Sequence, residues 1–580
     1  MFIKNRINLI LVILFSLFIC YLNLSGIFLD DSVVQDDFRQ SFYWIWKLWD
    51  SSLFENCFFI DMYRSHLVRM PILNLIYNLG PFLVKSPILY SKILAVLISV
   101  LTSISAYFMM NSFMNSRKEV KAKFIALMFS FVVSVMIWCT DHVSVAHSRS
   151  FIWMGLFIFL LLENEKKDFL KSLWIFVLLL LSPFAFLLCL GMQFFSWLFN
   201  LLKLFPRSEL KNILDINFYA LAFNTLAVLF LYKVIFSDVA TQGVGTEFSR
   251  SEMELLPEFN PGGRHPIFGV SIFDYAFWSD AHWGFSIGTY EVSVMVPVAI
   301  VSLIVFLLLK KFLFRDKIFV FCDSVSPAKP SWLQHPLSLL FYSSMSLYFA
   351  AMITFPLIFL PSRYIANSSL VLAVTGLFLL IHSCFRRIAS LESLSVFFDY
   401  SRREFVLKKL PYLLFAIIFL IVYSNFFQPR FVQMDKEILA IAKQSPKDSL
   451  FAAHPKLAAI NALSATAKRR VFINHEWSMA YTKESLEEIR RRNIENLKMI
   501  YAPTREEFLE IALREGITHV IAHRRFYTKQ YLKNPKYLEP YNELLRKLVE
   551  RGQSEGFYLQ QYLKDRGKLK WVVIGLGDLK

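Results

Sequence analysis

Two adjacent acids and an arginine, Asp36, Asp37 and Arg39, open the stretch VVQDDFRQSFYWIWKLWD, a few residues after the first long apolar run of the chain. A carboxylate takes a proton from an attacking hydroxyl, and a guanidinium holds a phosphate. Asp30 and Asp31 lie just upstream, and Arg39 is within reach of Asp36 one helical turn back. Such a cluster beside a bilayer fits chemistry on something the lipid presents. It fits equally well a pair of acids that start a helix, where the dipole favours negative charge. Asp36, Gln40, Tyr43, Lys47 and Asp50 share one helical face, and Phe38, Phe42, Ile45 and Trp49 lie about 200° round the wheel. The segment therefore reads as an amphipathic helix in the membrane interface, with Trp44 and Trp46 at headgroup depth.

Other polar residues punctuate the same side of the chain. DHVSVAHSRSF offers Asp141, His142, His147 and Arg149, at a spacing that matches no established metal-ligand pattern. PEFNPGGRHPIF carries Glu258, Arg264 and His265 around a glycine pair, which needs no more than a tight turn, although backbone amides beside an arginine also suit an anion. LPSRY sets Arg363 and Tyr364 at a helix mouth. Such residues serve as interfacial anchors or as lipid-phosphate contacts.

The elements that must position these residues are membrane spans. The chain has 580 residues, 56% hydrophobic and only 18% charged, with 60 Phe. Apolar runs of ~20 residues recur. They predict about eleven spans, at 7–28, 87–112, 124–140, 150–162, 170–187, 188–205, 216–236, 288–309, 337–360, 364–384 and 411–427. The first run reads as an uncleaved helix, and only a proline marks the break between the fifth and sixth. Lys and Arg gather in NSRKEVKAK, ENEKKDFLK, LFPRSELK, KKFLFRDK and the segment with FRRIAS and SRREFVLKK, all on one side when the spans alternate. The positive-inside rule makes that side cytoplasmic, with the amino terminus. The loops 29–86 and 237–287 then face outside, as does everything after Phe427.

The formal charge of +17 belongs to those loops rather than to nucleic-acid binding. Six cysteines, with no CxxC, indicate neither a disulfide framework nor a zinc site. No acid lies near the middle of a span, which weighs against an ion-coupled transporter. Residues 428–580 are polar and alternate helices such as EEIRRRNIENL and REEFLEIALREG with the strand-like SLFAAHP, RVFINHE, THVIAH and KWVVIGL. That pattern predicts a small extracytoplasmic α/β domain behind a membrane domain of residues 1–427. Thr504 and Glu507 read as a capping box. Arg470 and Glu476, with His475, read as a strand-end ion pair or as a surface for an acceptor or partner.

Together, QDDFRQ in the first external loop, the aromatic segment after it, the many spans and the carboxy-terminal domain resemble the GT-C superfamily of integral-membrane glycosyltransferases. That superfamily includes protein O-mannosyltransferases and lipid A aminoarabinose transferases. QDD-RQ, PEFNPGGR, LPSRY and RRVFINHE further resemble a group of bacterial, largely cyanobacterial-type membrane proteins, over nearly the whole chain. The resemblance implies a mainly α, polytopic bacterial inner-membrane enzyme. It implies transfer of a sugar from a polyprenyl-phosphate donor to a glycan, lipid or protein acceptor at the outer leaflet. Carried over, Asp37 or Asp36 becomes the general base, with Asp37 preferred because Arg39 ties up Asp36. Arg149 and Arg363 become candidates for the donor phosphate, beside Arg39, Arg264 and Tyr364 from the residue reading. No second acidic motif of the DxD kind follows, so metal dependence is not supported. A lipid or polysaccharide flippase and a non-catalytic scaffold remain the rival readings.

Overall fold

The computed structural model describes residues 2–35, 38–39, 43–60, 62, 71–115, 120–139, 148–204, 219, 221–226, 248–264, 266–269, 284–287, 290–293, 335–354, 362–390, 431–478 and 482–579. The amino-terminal half contributes long apolar helices: α1 (Phe2–Leu24), α2 (Pro71–Leu83), α3 (Pro87–Asn115), α4 (Val120–Cys139), α5 (Ile152–Asn164), α6 (Asp168–Leu181) and α7 (Pro183–Leu204). A short α8 (Arg250–Leu255) precedes α9 (Pro336–Thr354) and α10 (Ser362–Ser390). Among the described residues, five helical stretches are long and apolar enough to cross a membrane: Arg6–Leu24, Pro87–Met114, Pro183–Leu201, Pro336–Thr354 and Arg363–Leu380. The chain is a multi-pass membrane protein. The expected span at 411–427, and most of 216–236 and 288–309, lie outside the described residues; at the start of 288–309, β3 (Tyr290–Ser293) is a strand that pairs antiparallel with β2 (Gly284–Ile287).

The helices approach one another through small residues, as apolar helices in lipid must. Ser134 donates to Ser103 at 2.7 Å, and the Trp138 indole donates to Ser99 at 3.1 Å. A Cβ on Gly191 would fall 2.3 Å from the Ser343 hydroxyl, so only glycine lets α7 meet α9 there. The proline break falls earlier than the apolar runs indicate. Ser182 is extended and α7 begins at Pro183, because the residue before proline avoids helical geometry and proline suits a first helical turn.

Residues 431–579 fold around a four-stranded sheet. β5 (Leu450–Ala453) runs parallel to β6 (Arg470–Val471) and β7 (His519–His523), and β8 (Trp571–Gly575) closes the order β6-β5-β7-β8 antiparallel to β7. Each strand falls in one of the four stretches expected from sequence. Helices α11 (Lys436–Gln444), α12 (Ala458–Ala467), α13 (Lys483–Ile500), α14 (Arg505–Arg514), α15 (Asn542–Glu555) and α16 (Tyr558–Asp565) accompany the sheet. The Thr504 hydroxyl caps α14 by accepting from the Glu507 amide at 3.2 Å. The Glu507 carboxylate turns instead to Arg551, at 2.8 and 3.0 Å, so half of the expected box forms.

This carboxy-terminal unit is bound to the membrane half by backbone as well as side chains. β1 (Val33–Gln35) pairs antiparallel with β4 (Phe431–Gln433), matching Gln35 to Phe431. Over its described residues the segment after β1 is not the continuous interfacial amphipathic helix expected. It forms a turn of 3₁₀ helix at Tyr43–Ile45 and one α-turn at Trp46–Trp49, with Phe38, Tyr43, Trp44, Ile45 and Trp46 all buried. Trp46 donates its indole N–H to the Ala465 carbonyl at 2.7 Å, and the Tyr43 ring lies 4.8 Å from Trp477. Tyr43 is covered because the unit packs on the side that periodicity assigned to water, while Lys47 and Asp50 on that side stay partly exposed.

One buried core joins this junction. Phe38 and Trp44 share it with Phe151, Leu181, Phe248, Phe259 and Ile365 from the helix ends and the middle loop, and with Trp477 and Phe472 from the carboxy-terminal unit. The turns that alternation assigned to one side therefore meet at one end of the bundle.

Candidate functional site

Asp36 and Asp37 lie outside the described residues. The residues flanking them are fixed: Gln35 by its strand pairing, and Phe38 by burial at 1% exposure. Arg39 follows, its Nη2 3.9 Å from Glu476 Oε1, while Arg264 of the middle loop donates through Nη2 to Glu476 Oε2. A single carboxylate thus joins the first external loop and the middle loop. The turn after β6 aims it. Asn474 Oδ1 accepts from the Trp477 amide three residues on at 2.8 Å, and Trp477 is clamped between Tyr43 and Phe59, whose centroid is 4.5 Å away. Arg470 takes no part in this pair. Its guanidinium donates to the Asp448 carbonyl, which corrects the strand-end pair with Glu476.

The PEFNPGGR loop is a docking element. Glu258, 3% exposed, accepts from Arg490 of α13 at 2.7 and 2.8 Å, a bidentate charged pair. Lys483 reaches Glu252 at 2.6 Å, and Ser249 with Glu252 forms a capping box on α8. Gly263 cannot carry a side chain, since a Cβ would fall 2.4 Å from the Pro257 and Glu258 carbonyls; the turn closes from the Gly263 amide to Asn260 at 2.9 Å. Gly262 in turn accepts from the Glu539 amide at 3.0 Å. His265 lies outside the described residues.

Next to Glu476, His475 is held neutral. Burial, Arg264, Lys456 and Arg39 all disfavour its charge and bring its pKa from an ordinary 6.5 to about 3. His454 is buried at the end of β5, stacked on Phe526 with centroids 3.7 Å apart. Its Nε2 meets the Tyr531 hydroxyl at 3.0 Å and its Nδ1 accepts from the Lys456 amide at 3.2 Å.

The remaining sequence candidates divide. Arg149 is half-buried in the turn Ser148–Phe151 that leads into α5. Arg363 starts α10 with its guanidinium 5.4 Å over the Phe184 ring. Tyr364 is only 2% exposed, its ring 5.5 Å from Phe184 and its carbonyl accepting from Ser344 at 2.8 Å, so its part here is packing. Arg39 and Arg264 are brought together on Glu476, whereas for Arg149 and Arg363 only their sequence neighbours Phe151 and Ile365 are placed in the buried core that Phe38 enters. Sequence reasoning missed Glu258 as the anchor and the loops as partners of Glu476. Its available signal was a lone acid among apolar residues in each case. Among the described residues no group of three His, Cys, Asp or Glu side chains is positioned to hold a metal ion; Asp36, Asp37, Asp141, His142 and His147 are not among them.

No protein-family model matches the chain, and no curated protein matches it either. Solved structures do. The Archaeoglobus fulgidus oligosaccharyltransferase, tethered with an acceptor peptide containing the NVT sequon, aligns with 94% of this chain and 71% of its own, at TM-score 0.52 and 12% identity. The same enzyme in the apo form aligns with 90% and 70%, at TM-score 0.50 and 10% identity. The chain is similar in fold to an archaeal oligosaccharyltransferase. At this identity the likeness is one of fold, and it extends over the membrane half and the carboxy-terminal unit together.

Proposed function

We propose that the chain is a GT-C-like glycosyltransferase of the bacterial inner membrane, with about eleven spans and an extracytoplasmic α/β domain at 428–580. In this reading it takes a sugar from a polyprenyl-phosphate-linked donor and delivers it to a cell-envelope acceptor at the outer leaflet. The acceptor hydroxyl attacks the anomeric carbon, and its proton goes to the carboxylate of Asp37 or Asp36. The bond from that carbon to the phosphate oxygen breaks, and the polyprenyl phosphate leaves with the electron pair. Cations stabilise the departing charge; Arg39, Arg149, Arg264 and Arg363 are the candidates.

The observation that carries the proposal is the anchoring of the acidic loop. Gln35, Phe38 and Arg39, the described residues on either side of Asp36 and Asp37 in sequence, are fixed at the junction between membrane helices and the carboxy-terminal unit. An acid pair that merely started an interfacial helix needs no such clamp. The fold likeness to an enzyme that transfers oligosaccharide supports the same reaction class, and its tethered peptide makes a protein acceptor the first to try.

The test is Asp37→Asn, Asp36→Asn and the double variant, assayed in membranes with lipid-linked sugar donors. Loss of a general base costs ~10²–10⁴-fold in turnover, so one single variant and the double should fall by about that much with normal expression and thermal stability. A flippase or a scaffold would retain its function in all three, and that result would end the proposal.

A further inference from the structure

The carboxy-terminal sheet carries a second feature, at the edge facing the loops. The chain leaves β5 through α12 to reach β6 on one side, then returns through α13 and α14 to β7 on the other. The gap between β5 and β7 is therefore the switch point of the parallel strands, and open sheets bind ligands outside the carboxyl ends of strands at such points. β5 is followed there by His454, Pro455 and Lys456, β7 by Arg524 and Arg525, and β6 by His475 four residues on. Helix α12 opens directly after Lys456, and its N-cap, Leu457, makes no side-chain cap. Its first amides add to the positive potential of the edge.

These groups form one connected set. Arg525 donates to the Lys456 carbonyl, and the His475 amide donates to the Pro455 carbonyl at 3.1 Å. His475 stands 6.0 Å, centroid to centroid, from Tyr537, and Arg264 reaches in from the middle loop to Glu476 beside it. Among the described residues, His475 Nδ1 and Arg264 Nε are buried without a hydrogen-bond partner. Among the described residues, the cations Arg264, Lys456 and Arg525 are set against the carboxylate of Glu476, which leaves two positive charges over. Lys456 feels this directly, since burial, Arg525 and Lys536 all lower its pKa. A carboxylate ligand would neutralise one charge. A diphosphate carries two or more and accepts from several donors at once.

We propose that this edge binds a diphosphate group, held by Lys456, Arg525 and Arg264 with His475 as a neutral donor. The group belongs either to a lipid carrier's headgroup or to a soluble diphosphate ester. The site stands whether or not the chain transfers a sugar, because binding is read without turnover and without Asp36 or Asp37.

The test uses the full chain in nanodiscs titrated with inorganic pyrophosphate, followed by calorimetry and by thermal unfolding. Pyrophosphate should bind saturably, raise the midpoint by a few degrees and bind more weakly as salt rises. Arg525→Gln, at an exposed position, and Lys456→Gln should each weaken binding about tenfold, roughly one charged contact, while unliganded stability stays near that of the parent. Nanodiscs doped with a polyprenyl diphosphate separate the sources: competition with pyrophosphate assigns the lipid headgroup, and unchanged pyrophosphate binding assigns a soluble ester. Absence of saturable pyrophosphate binding, or equal affinity in a folded Arg525→Gln chain, overturns the site.

Discussion

The two ends of the helical bundle use buried charge in opposite ways. At one end Lys171, 2% exposed, is bonded to Glu163 at 2.6 Å and to Asp168 at 2.9 Å. All three belong to α5, α6 and the turn between them, eight residues at most from one another. At the other end, Glu258 and Arg490 are 232 residues apart in the chain, and Arg264 and Glu476 are 212 apart. Glu163 lies eleven residues along α5 from its start at the junction, which at 1.5 Å per residue is about 17 Å away. Local pairs close a helical hairpin that apolar packing would place anyway. Long-range pairs bring together three separate segments, at Arg39, in the middle loop and in the carboxy-terminal unit. Buried ion pairs often contribute little net stability yet fix one arrangement, and here that second role falls at the junction.

The contrast breaks most visibly in stability at the Lys171 end. Lys171→Met leaves two carboxylates facing each other with no cation, and should cost about 3–4 kcal/mol, toward the low side because Asp168 keeps 28% exposure. Thermal unfolding in detergent measures it. Turnover and pyrophosphate binding per folded molecule should be unchanged, since nothing at the junction is touched. A comparable loss of turnover in folded protein would erase the distinction between the ends.

Glu258→Gln should reverse the pattern. It removes one charge from a pair in which Arg490 keeps 34% exposure, so about 2 kcal/mol is expected. The larger effect is on position: segment 248–269 should become cleavable by limited proteolysis, and turnover should drop about tenfold or more, the scale of a displaced reacting group. Arg490→Met should copy it. Loss of stability with full turnover would show that the loop's docking is only structural.

How much of this was legible in the sequence follows the same division. Apolar runs, the carboxy-terminal strands and the Pro183 break are properties of neighbouring residues, and they were readable to within a few positions. Tyr43 was not. Its spacing with Asp36 and Lys47 put it on a water-facing side, but periodicity records only that one side differs from the other and says nothing of what covers either. Trp477, more than four hundred residues later, covers it. Glu476 failed for the same reason: the nearest arginine in sequence, Arg470, turns to a backbone carbonyl, and the partners come from loops far up the chain. Arg39 and Arg264 were legible as residue types, and their meeting on one carboxylate was not.

The smallest effect sharpens the comparison through pH. His475 has a pKa of about 3 in the folded chain and about 6.5 when unfolded. Above 6.5 it is neutral in both states and pH has no hold on stability through it. Between those values the unfolded chain takes up a proton that the folded one refuses, so stability falls as pH falls, by up to about 1.4 kcal/mol per unit. Below about 3 that loss is complete. His475→Gln should therefore flatten the acid limb of the stability profile between about pH 6 and 4, leaving the share due to His523, whose own pKa is lowered to about 4, and to His454. Arg264→Met, which removes the strongest positive charge acting on the imidazole, should flatten it less, by raising the pKa of His475 rather than deleting it. Lys171→Met should lower stability most at neutral pH and less as pH falls, because the two carboxylates left without a cation are relieved when one takes up a proton. Profiles of His475→Gln and Arg264→Met that both run parallel to the parent's would mean that the junction's positive field does not reach His475, and the electrostatic difference between the two ends would then be one of geometry alone.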